Sequence, residues 1–205
     1  MGKIFRLADS ASAPTKRGLK RAGHRRRIGS DEDQLGLFSA VSTGKIVSLP
    51  SRLSPFEEAL LLDERGSDKA EEAYRIAVDV GDCVDDAFCN LGIVLYHAGD
   101  VQGAFSSFTN TLKVNPIHFE AHYNLGNLYL DDEDLQAARV HYELAEAVDS
   151  TYENLHFNAG IVYALQGDME HALRAFGTYR RLAPDELGRQ IDDLLHRLRR
   201  VVAAN

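Results

Sequence analysis

Two consecutive stretches of this chain carry the hydrophobic pattern of amphipathic helices. In residues 119–131, small and apolar side chains follow helical spacing at Leu125, Gly126, Leu128 and Tyr129. In residues 135–148, they stand at i, i+4 and i+7, at Ala138, Tyr142 and Ala145. The residues between the stretches, Glu133 and Asp134, read as a turn. The pattern therefore predicts a unit of two helices joined by a short turn.

This unit recurs every 34 residues. The recurring phrases are Asn90-Leu91-Gly92, Asn124-Leu125-Gly126 and Asn158-Ala159-Gly160. The second helices keep the same step, with alanines at 104, 138 and 172 and aromatic residues at Phe108, Tyr142 and Phe176. Self-similarity of this length predicts a stacked array of like units. We expect the Gly and Ala positions to let paired helix axes approach closely, with the aromatic ring filling the space beside them.

The turns between paired helices also repeat, as Gly99-Asp100, Glu133-Asp134 and Gly167-Asp168. A glycine just past a helix can adopt the left-handed conformation that ends it. An aspartate side chain can accept a hydrogen bond from the first turn of the next helix. We therefore predict that these dipeptides end one helix and begin the next.

The repeated residues resemble the tetratricopeptide repeat family. The family's small residue matches Gly92, Gly126 and Gly160, its alanine and aromatic positions match those given above, and its final proline matches Pro116 and Pro184. The resemblance implies an all-α fold: a right-handed superhelical array of helix-turn-helix repeats with a C-terminal capping helix. It covers residues 51–184 as four repeats, at 51–84, 85–118, 119–152 and 153–184. The first repeat diverges, because Glu57 and Glu58 stand where Leu and Gly belong, and a one-residue shift would place Ala59 at the small position.

Residues 185–205 are predicted to form the capping helix. Their apolar residues follow helical spacing and include Ile191, Leu194, Leu195 and Leu198, opposite a charged face. A terminal element of this kind covers the stacking surface of the last repeat. A dimerisation helix is the alternative.

Residues 1–30 form a basic arm on an acidic protein. They contain nine lysine or arginine residues and one aspartate, whereas the whole chain has a net charge of -8. We interpret the arm as disordered because it has little apolar content. Its candidate contact residues for nucleic acid, acidic lipid or an acidic protein are Lys16, Arg17, Lys20, Arg21, Arg25, Arg26 and Arg27. A solvated leader, attraction to the protein's own acidic body, and a transit peptide are the alternatives.

Residues 31–50 are a short apolar segment expected to pack on or near the array. Two apolar runs flank Gly44, which is typical of a small hairpin or an extended segment. The segment either covers the exposed start of the array or lies in the array's own groove, where a partner would displace it.

The resemblance implies that the first helices of the repeats line a concave groove. The residues at the matching positions include Asn90, Ile93, Tyr123, Asn124, Asn127, Phe157, Asn158 and Ile161. The asparagines 90, 124 and 158 form a ladder of amides that can both donate to and accept from a peptide backbone. Tyr123 and Phe157 are candidate hot-spot contacts. The alternative is that the asparagines only tie neighbouring repeats together.

The charge of the groove indicates which ligands it suits. Relatives that grip a C-terminal carboxylate carry basic groove residues, but here Asp86, Glu120 and Asn154 stand at one of those positions. The groove therefore favours a peptide or helix with apolar anchors and some basic character.

The sequence contains no recognisable catalytic site. His118 and His122 have zinc-ligand spacing, but His122 fills a packing position of the repeat. No phosphate-binding loop or nucleophile elbow is present, so we predict no catalytic residue, cofactor or metal site. The two cysteines, Cys83 and Cys89, are interpreted as reduced thiols of a cytoplasmic protein. No apolar run reaches the length of a membrane span.

The sequence thus predicts a non-enzymatic, cytoplasmic adaptor or scaffold that binds a peptide or helix of a partner protein in its groove. The alternative is a nucleic-acid-associated regulator, in which the basic arm contacts nucleic acid and the repeats bind a protein. Nucleic-acid binding through the arm would weaken steeply with salt. The sequence specifies no oligomeric state.

Overall fold

The computed structural model describes residues 19–22, 53–183 and 185–203 of the chain. Within these ranges it contains nine α-helices and no β-strand. The helices are α1 Pro55–Glu64, α2 Ala70–Asp79, α3 Val84–His97, α4 Val101–Val114, α5 Phe119–Asp131, α6 Leu135–Val148, α7 Glu153–Leu165, α8 Met169–Leu182 and α9 Asp185–Val202. The predicted all-α fold is confirmed.

The helices pair in sequence, and the pairs stack. The antiparallel pairs are α1 with α2, α3 with α4, α5 with α6, and α7 with α8, and the second helix of each pair also contacts the first helix of the next. Adjacent first helices, such as α5 and α7, contact each other directly. The first helices therefore follow one side of a helical repeat solenoid.

A glycine packed against an aromatic ring fixes each of the three regular pairs. A Cβ atom at Gly92, Gly126 or Gly160 would lie 2.7, 2.5 or 2.7 Å from the ring of Phe108, Tyr142 or Phe176. All three rings are almost completely buried. The predicted packing at these glycines is confirmed: in each pair, the aromatic ring of the second helix lies directly against the glycine of the first helix.

The turns have the predicted chemistry. Gly99, Glu133 and Gly167 have positive φ angles of 88°, 60° and 81°. The side chains of the following aspartates accept backbone hydrogen bonds: Asp100 from Gly103, Asp134 from Ala137 and Asp168 from His171. Each dipeptide thus ends one helix and caps the next.

The divergent first pair begins with a complete capping box. The Ser54 hydroxyl accepts from the Glu57 amide, and the Glu57 carboxylate accepts from the Ser54 amide. Phe56, Ala59 and Tyr74 of this pair are fully buried. The two helices therefore pack as a unit although Glu58 stands where the other first helices have glycine.

The last helix, α9, covers the end of the array. Its residues Ile191, Leu195 and Leu198 are buried in the same apolar cluster as residues of α7 and α8. Arg180 of α8 pairs with Asp192 of α9 at 2.8 Å. The apolar face of α9 is thus used within the chain, as expected for a capping helix. No helix in the described ranges has both the length and the apolar character needed to cross a membrane.

Two histidines form a part-buried polar contact between α5 and α6. His122 Nε2 lies 3.0 Å from the Pro116 carbonyl oxygen, so it must donate to that acceptor. His122 Nδ1 then accepts from His141 Nδ1 at 3.1 Å. Burial lowers the pKa of His141 to about 4 and also lowers the pKa of His122. Both rings are therefore uncharged at neutral pH.

Gly126→Ala should destabilise the protein by about 1–3 kcal/mol, because the new Cβ would overlap the buried Tyr142 ring. Chemical denaturation measures the change. Gly177→Ala is the matched control: nothing lies within 4 Å of a Cβ there, and we expect a gain of about 0.5–1 kcal/mol from helix propensity. Equal effects of the two substitutions would contradict this packing role for Gly126.

Acid should destabilise the fold through His141. Its pKa in the folded state is about 4, against an ordinary value of 6.5, so the unfolded chain binds the proton more readily. The contribution of the neutral ring is fully present above pH 6.5 and is lost as pH falls towards 4. His141→Gln, which does not titrate, should make the fall of unfolding free energy over this range shallower. An unchanged pH profile would contradict the assignment.

Candidate binding groove

Residues 19–22 of the basic arm lie against α3 and α5, the first helices of the second and third repeats. The Lys20 amide donates to Asn124 Oδ1 at 2.7 Å, and Asn124 Nδ2 donates to the Lys20 carbonyl at 2.8 Å. The Ala22 amide donates to Asn90 Oδ1 at 2.9 Å, and Asn90 Nδ2 donates to the Ala22 carbonyl at 3.0 Å. Each asparagine therefore binds both main-chain groups of one residue of the segment. The segment runs from the third repeat towards the second, opposite to the order of the repeats.

The backbone at Ala22 is deeply buried by this arrangement. Ala22 is 2 % exposed and belongs to the same apolar cluster as Phe56, Tyr74 and Cys89. Asn90 and Asn124 are completely buried, and each has both its amide oxygen and its amide nitrogen bonded to the segment. The site thus accepts a small side chain at position 22.

Asn158, the third asparagine of the ladder, has a different role. Its Nδ2 donates to Asn127 Oδ1 at 2.7 Å and to the Tyr123 hydroxyl at 3.1 Å. Asn127 Oδ1 also accepts from the Tyr142 hydroxyl at 2.6 Å. These bonds join α5, α6 and α7, so the amide of Asn158 links neighbouring repeats.

The preceding repeat explains why the asparagines differ. Asn158 bonds to residues 31 and 35 positions before it, which are Asn127 and Tyr123. The corresponding residues before Asn124 are Ile93 and Cys89, and those before Asn90 are Ala59 and Pro55. These side chains offer an amide no strong hydrogen-bonding partner, apart from the weakly accepting Cys89 sulfur, 3.8 Å from Asn124 Nδ2. Asn124 is therefore left to bind a peptide backbone, whereas Asn90 binds the backbone and also bonds to the Tyr74 side chain of the preceding repeat.

The other residues predicted for the groove are buried in the array. Ile93 and Tyr123 are 1 % and 0 % exposed, and Phe157 and Ile161 are 5 % and 9 % exposed. The Phe157 ring contacts the rings of Phe176 and Tyr179 on α8. Contact between these four residues and a partner stays a prediction.

The side chains of the segment pair with acidic residues of the array. Lys20 Nζ lies 3.7 Å from Glu120 Oε1 and over two aromatic rings, 4.2 Å from the Phe119 centroid and 4.1 Å from that of Tyr152. Arg21 pairs with Asp63 on α1 at 2.8 Å.

Sequence reasoning missed Phe119, Tyr152 and Asp63 as contacts of the arm. The available signal was an aromatic residue at the start of two successive first helices: Phe119 begins α5, and Tyr152 directly precedes α7.

Asp63 and the cysteines show how burial and charge act near the segment. Asp63 Oδ2 accepts from the Tyr74 hydroxyl at 3.1 Å, and burial together with this carboxylate raises the Tyr74 pKa. Burial, with smaller contributions from Glu120 and Asp86, raises the pKa of the Cys89 thiol well above its ordinary value. Burial and Asp82 raise the pKa of Cys83 to about 11. Both thiols thus stay protonated at neutral pH.

The two histidines with zinc-ligand spacing contact different groups. His118 Nδ1 accepts from the Ala121 amide at 3.3 Å, so its Nε2 carries the proton donated to Asp86 at 3.0 Å. His122 instead contacts Pro116 and His141, as described above. In the part of the chain that the structure describes, no three His, Cys, Asp or Glu side chains are grouped as metal ligands.

The other predicted contacts of the N-terminal region lie outside the described residues. These are the basic residues Lys16, Arg17, Arg25, Arg26 and Arg27 and the apolar segment 31–50. Of the alternatives for the arm, the contacts of residues 19–22 agree with attraction to the protein's own acidic body. Lys20 and Arg21 already pair with carboxylates, which reduces the positive charge that they present to nucleic acid.

A family model for the tetratricopeptide repeat matches residues 60–109 and 104–153. No curated protein matches the sequence. Solved structures similar in fold include a MamA double mutant, MamA RS-1 ArsTM, with a TM-score of 0.58, 19% identity, and coverage of 74% of this chain and 96% of that one. They also include MamA 41-end from Desulfovibrio magneticus RS-1, with a TM-score of 0.58, 19% identity, and coverage of 72% and 94%. A further MamA crystal structure has a TM-score of 0.56, 20% identity, and coverage of 69% and 88%. At this identity the likeness concerns the fold.

Proposed function

Because the repeats of this chain are tetratricopeptide repeats, we propose that it is a non-enzymatic adaptor whose groove binds a non-helical peptide segment of a partner protein. The partner's main chain would be held by Asn90 and Asn124. We place this function in the cytoplasm, in keeping with two free thiols, Cys83 and Cys89.

The observation that carries the proposal is the pair of two-way hydrogen bonds to residues 19–22. Each bond is worth about 0.5–1.5 kcal/mol net, and all four use main-chain atoms that any residue except proline provides. This arrangement binds a segment through its backbone and leaves sequence preference to the side-chain sites beside it. A helical ligand would use its own backbone groups internally and could not make these bonds.

Residues 19–22 then act as an internal ligand that a partner must displace. A tethered segment has an effective concentration of about millimolar, so a free peptide competes at a disadvantage. The affinity measured for a partner is reduced by the fraction of molecules with an open groove. The arm would thus restrict binding to strong or locally concentrated partners.

The nucleic-acid regulator remains the alternative for the five predicted contact residues of the basic arm that lie outside the described ranges. No contact of the described arm residues, 19–22, favours it. Binding of the full chain to an oligonucleotide in a salt titration separates the two functions, because phosphate contacts weaken steeply with ionic strength.

We expect the groove to bind the arm sequence in trans once the internal segment is removed. In the full chain, residues 19–22 are replaced by Gly-Pro-Gly-Pro, which removes the donating amides at positions 20 and 22, to give the open-groove variant. A labelled peptide with the sequence of residues 15–26 should bind this variant at least tenfold more tightly than it binds the unchanged chain, by fluorescence anisotropy. Asn90→Ala with Asn124→Ala, introduced into the open-groove variant, should abolish the gain.

Thr111→Ala is the matched control, since Thr111 is a buried polar residue of α4 whose hydroxyl bonds to Ser107 and contacts no residue of the segment. Circular dichroism confirms that each variant is folded. Equal binding to the open-groove variant and the unchanged chain, or binding that is insensitive to both asparagines, would contradict the proposal. Self-association of the unchanged chain that the double asparagine variant removes would identify a second copy as the occupant and contradict the internal ligand.

A further inference from the structure

The ammonium group of Lys20 lies in a site built from two aromatic rings and one carboxylate. Its Nζ is almost equidistant from the Phe119 and Tyr152 centroids, at 4.2 and 4.1 Å, and lies 3.7 Å from Glu120. The two rings are perpendicular, with an interplanar angle of 90° and centroids 5.7 Å apart. A cation within about 6 Å of a ring face is attracted by the ring's quadrupole.

Contacts within the array hold these groups in place. Phe119 stacks on Tyr123 with an interplanar angle of 5°, and Tyr152 contacts the same Tyr123 ring edge-on at 5.2 Å. Tyr123 is itself completely buried. The Tyr152 hydroxyl accepts from Asn154 Nδ2 at 3.2 Å. The two rings are therefore supported by contacts with α5 and α7.

We propose that Phe119, Tyr152 and Glu120 form a lysine-selective subsite, which rests on the proposed function of the groove. The ligand is a peptide segment of a partner protein with lysine at the position bound by Asn124 and a small residue two positions later, bound by Asn90. The subsite selects the side chain, whereas the two asparagines hold the backbone.

The geometry favours lysine over arginine. A compact ammonium can face two perpendicular rings at once, whereas a planar guanidinium can stack flat on only one of them. Acetylation removes the charge and leaves the Glu120 carboxylate without its cation. The buried position of Ala22 adds a second restriction, because a larger side chain would have to displace the fully packed residues around it.

Peptide variants test the subsite on the open-groove variant of the full chain. The peptide of residues 15–26 is compared with versions that carry methionine, acetyl-lysine or arginine in place of Lys20. Lysine should bind about tenfold more tightly than methionine or acetyl-lysine, since the two ring contacts and the ion pair together supply an effect of this order. Arginine should bind more weakly than lysine. Glu120→Gln and Tyr152→Leu in the protein should each reduce the lysine-to-methionine ratio, which is the affinity of the lysine peptide divided by that of the methionine peptide.

Glu143→Gln is the control, because Glu143 is an acidic residue of α6 that pairs with Arg139 and lies outside the subsite. It should leave the lysine-to-methionine ratio unchanged. A ratio near one in the open-groove variant, or arginine binding as tightly as lysine, would overturn the lysine-selective subsite. If the peptides still bind and still require Asn124, the peptide-binding groove stands without the subsite. If no peptide binds, the proposed function itself fails.

Discussion

The contact between a glycine of one helix and an aromatic ring of the next determines the geometry of the array. At Gly126 a single added carbon would lie 2.5 Å from the Tyr142 ring, so the helices can cross this closely only without a side chain. The same contact recurs at Gly92 and Gly160, which gives successive pairs one crossing geometry. Because the pairs are alike, residues at equal positions of the first helices recur at equivalent places along the array. The asparagine ladder is a consequence of this packing.

The asparagines of the ladder have different hydrogen-bonding partners, and the partner of each depends on the side chains of the preceding repeat. Where that repeat offers Asn127 and Tyr123, the amide of Asn158 links the array together. Where it offers Ile93 and Cys89, the amide of Asn124 has no comparable polar neighbour and bonds to Lys20 of the arm. A buried amide without a partner costs about 1–3 kcal/mol, so any segment that replaces the arm here must supply equivalent main-chain donors and acceptors.

The period of the sequence was sufficient to predict the helix pairs, the Gly-aromatic contacts and the aspartate caps, since each depends on residues within one repeat. The resemblance to the tetratricopeptide repeat implied groove positions for Asn90 and Asn124, whose contact with a partner stays a prediction. It could not predict that Lys20 and Ala22 would bind them, because this contact joins residues 104 and 68 positions apart and uses main-chain atoms with no sequence signature. The Phe119 and Tyr152 rings were missed for a related reason. They can be recognised as a lysine site only when the position of Lys20 between them is known. Tyr123 was expected at the surface of the groove, but it is buried beneath both rings, where it supports them.

Asn90 and Asn124 hold the backbone of residues 19–22 through four hydrogen bonds. Amide hydrogen exchange at Lys20 and Ala22, measured by NMR on the full chain, tests it most directly, because both amides donate to these side chains. We expect both amides to exchange slowly. Asn124→Ala should accelerate exchange at Lys20, Asn90→Ala should accelerate exchange at Ala22, and Thr111→Ala should change neither rate. Exchange of both amides at the rate of an unstructured peptide in the unchanged chain would contradict it.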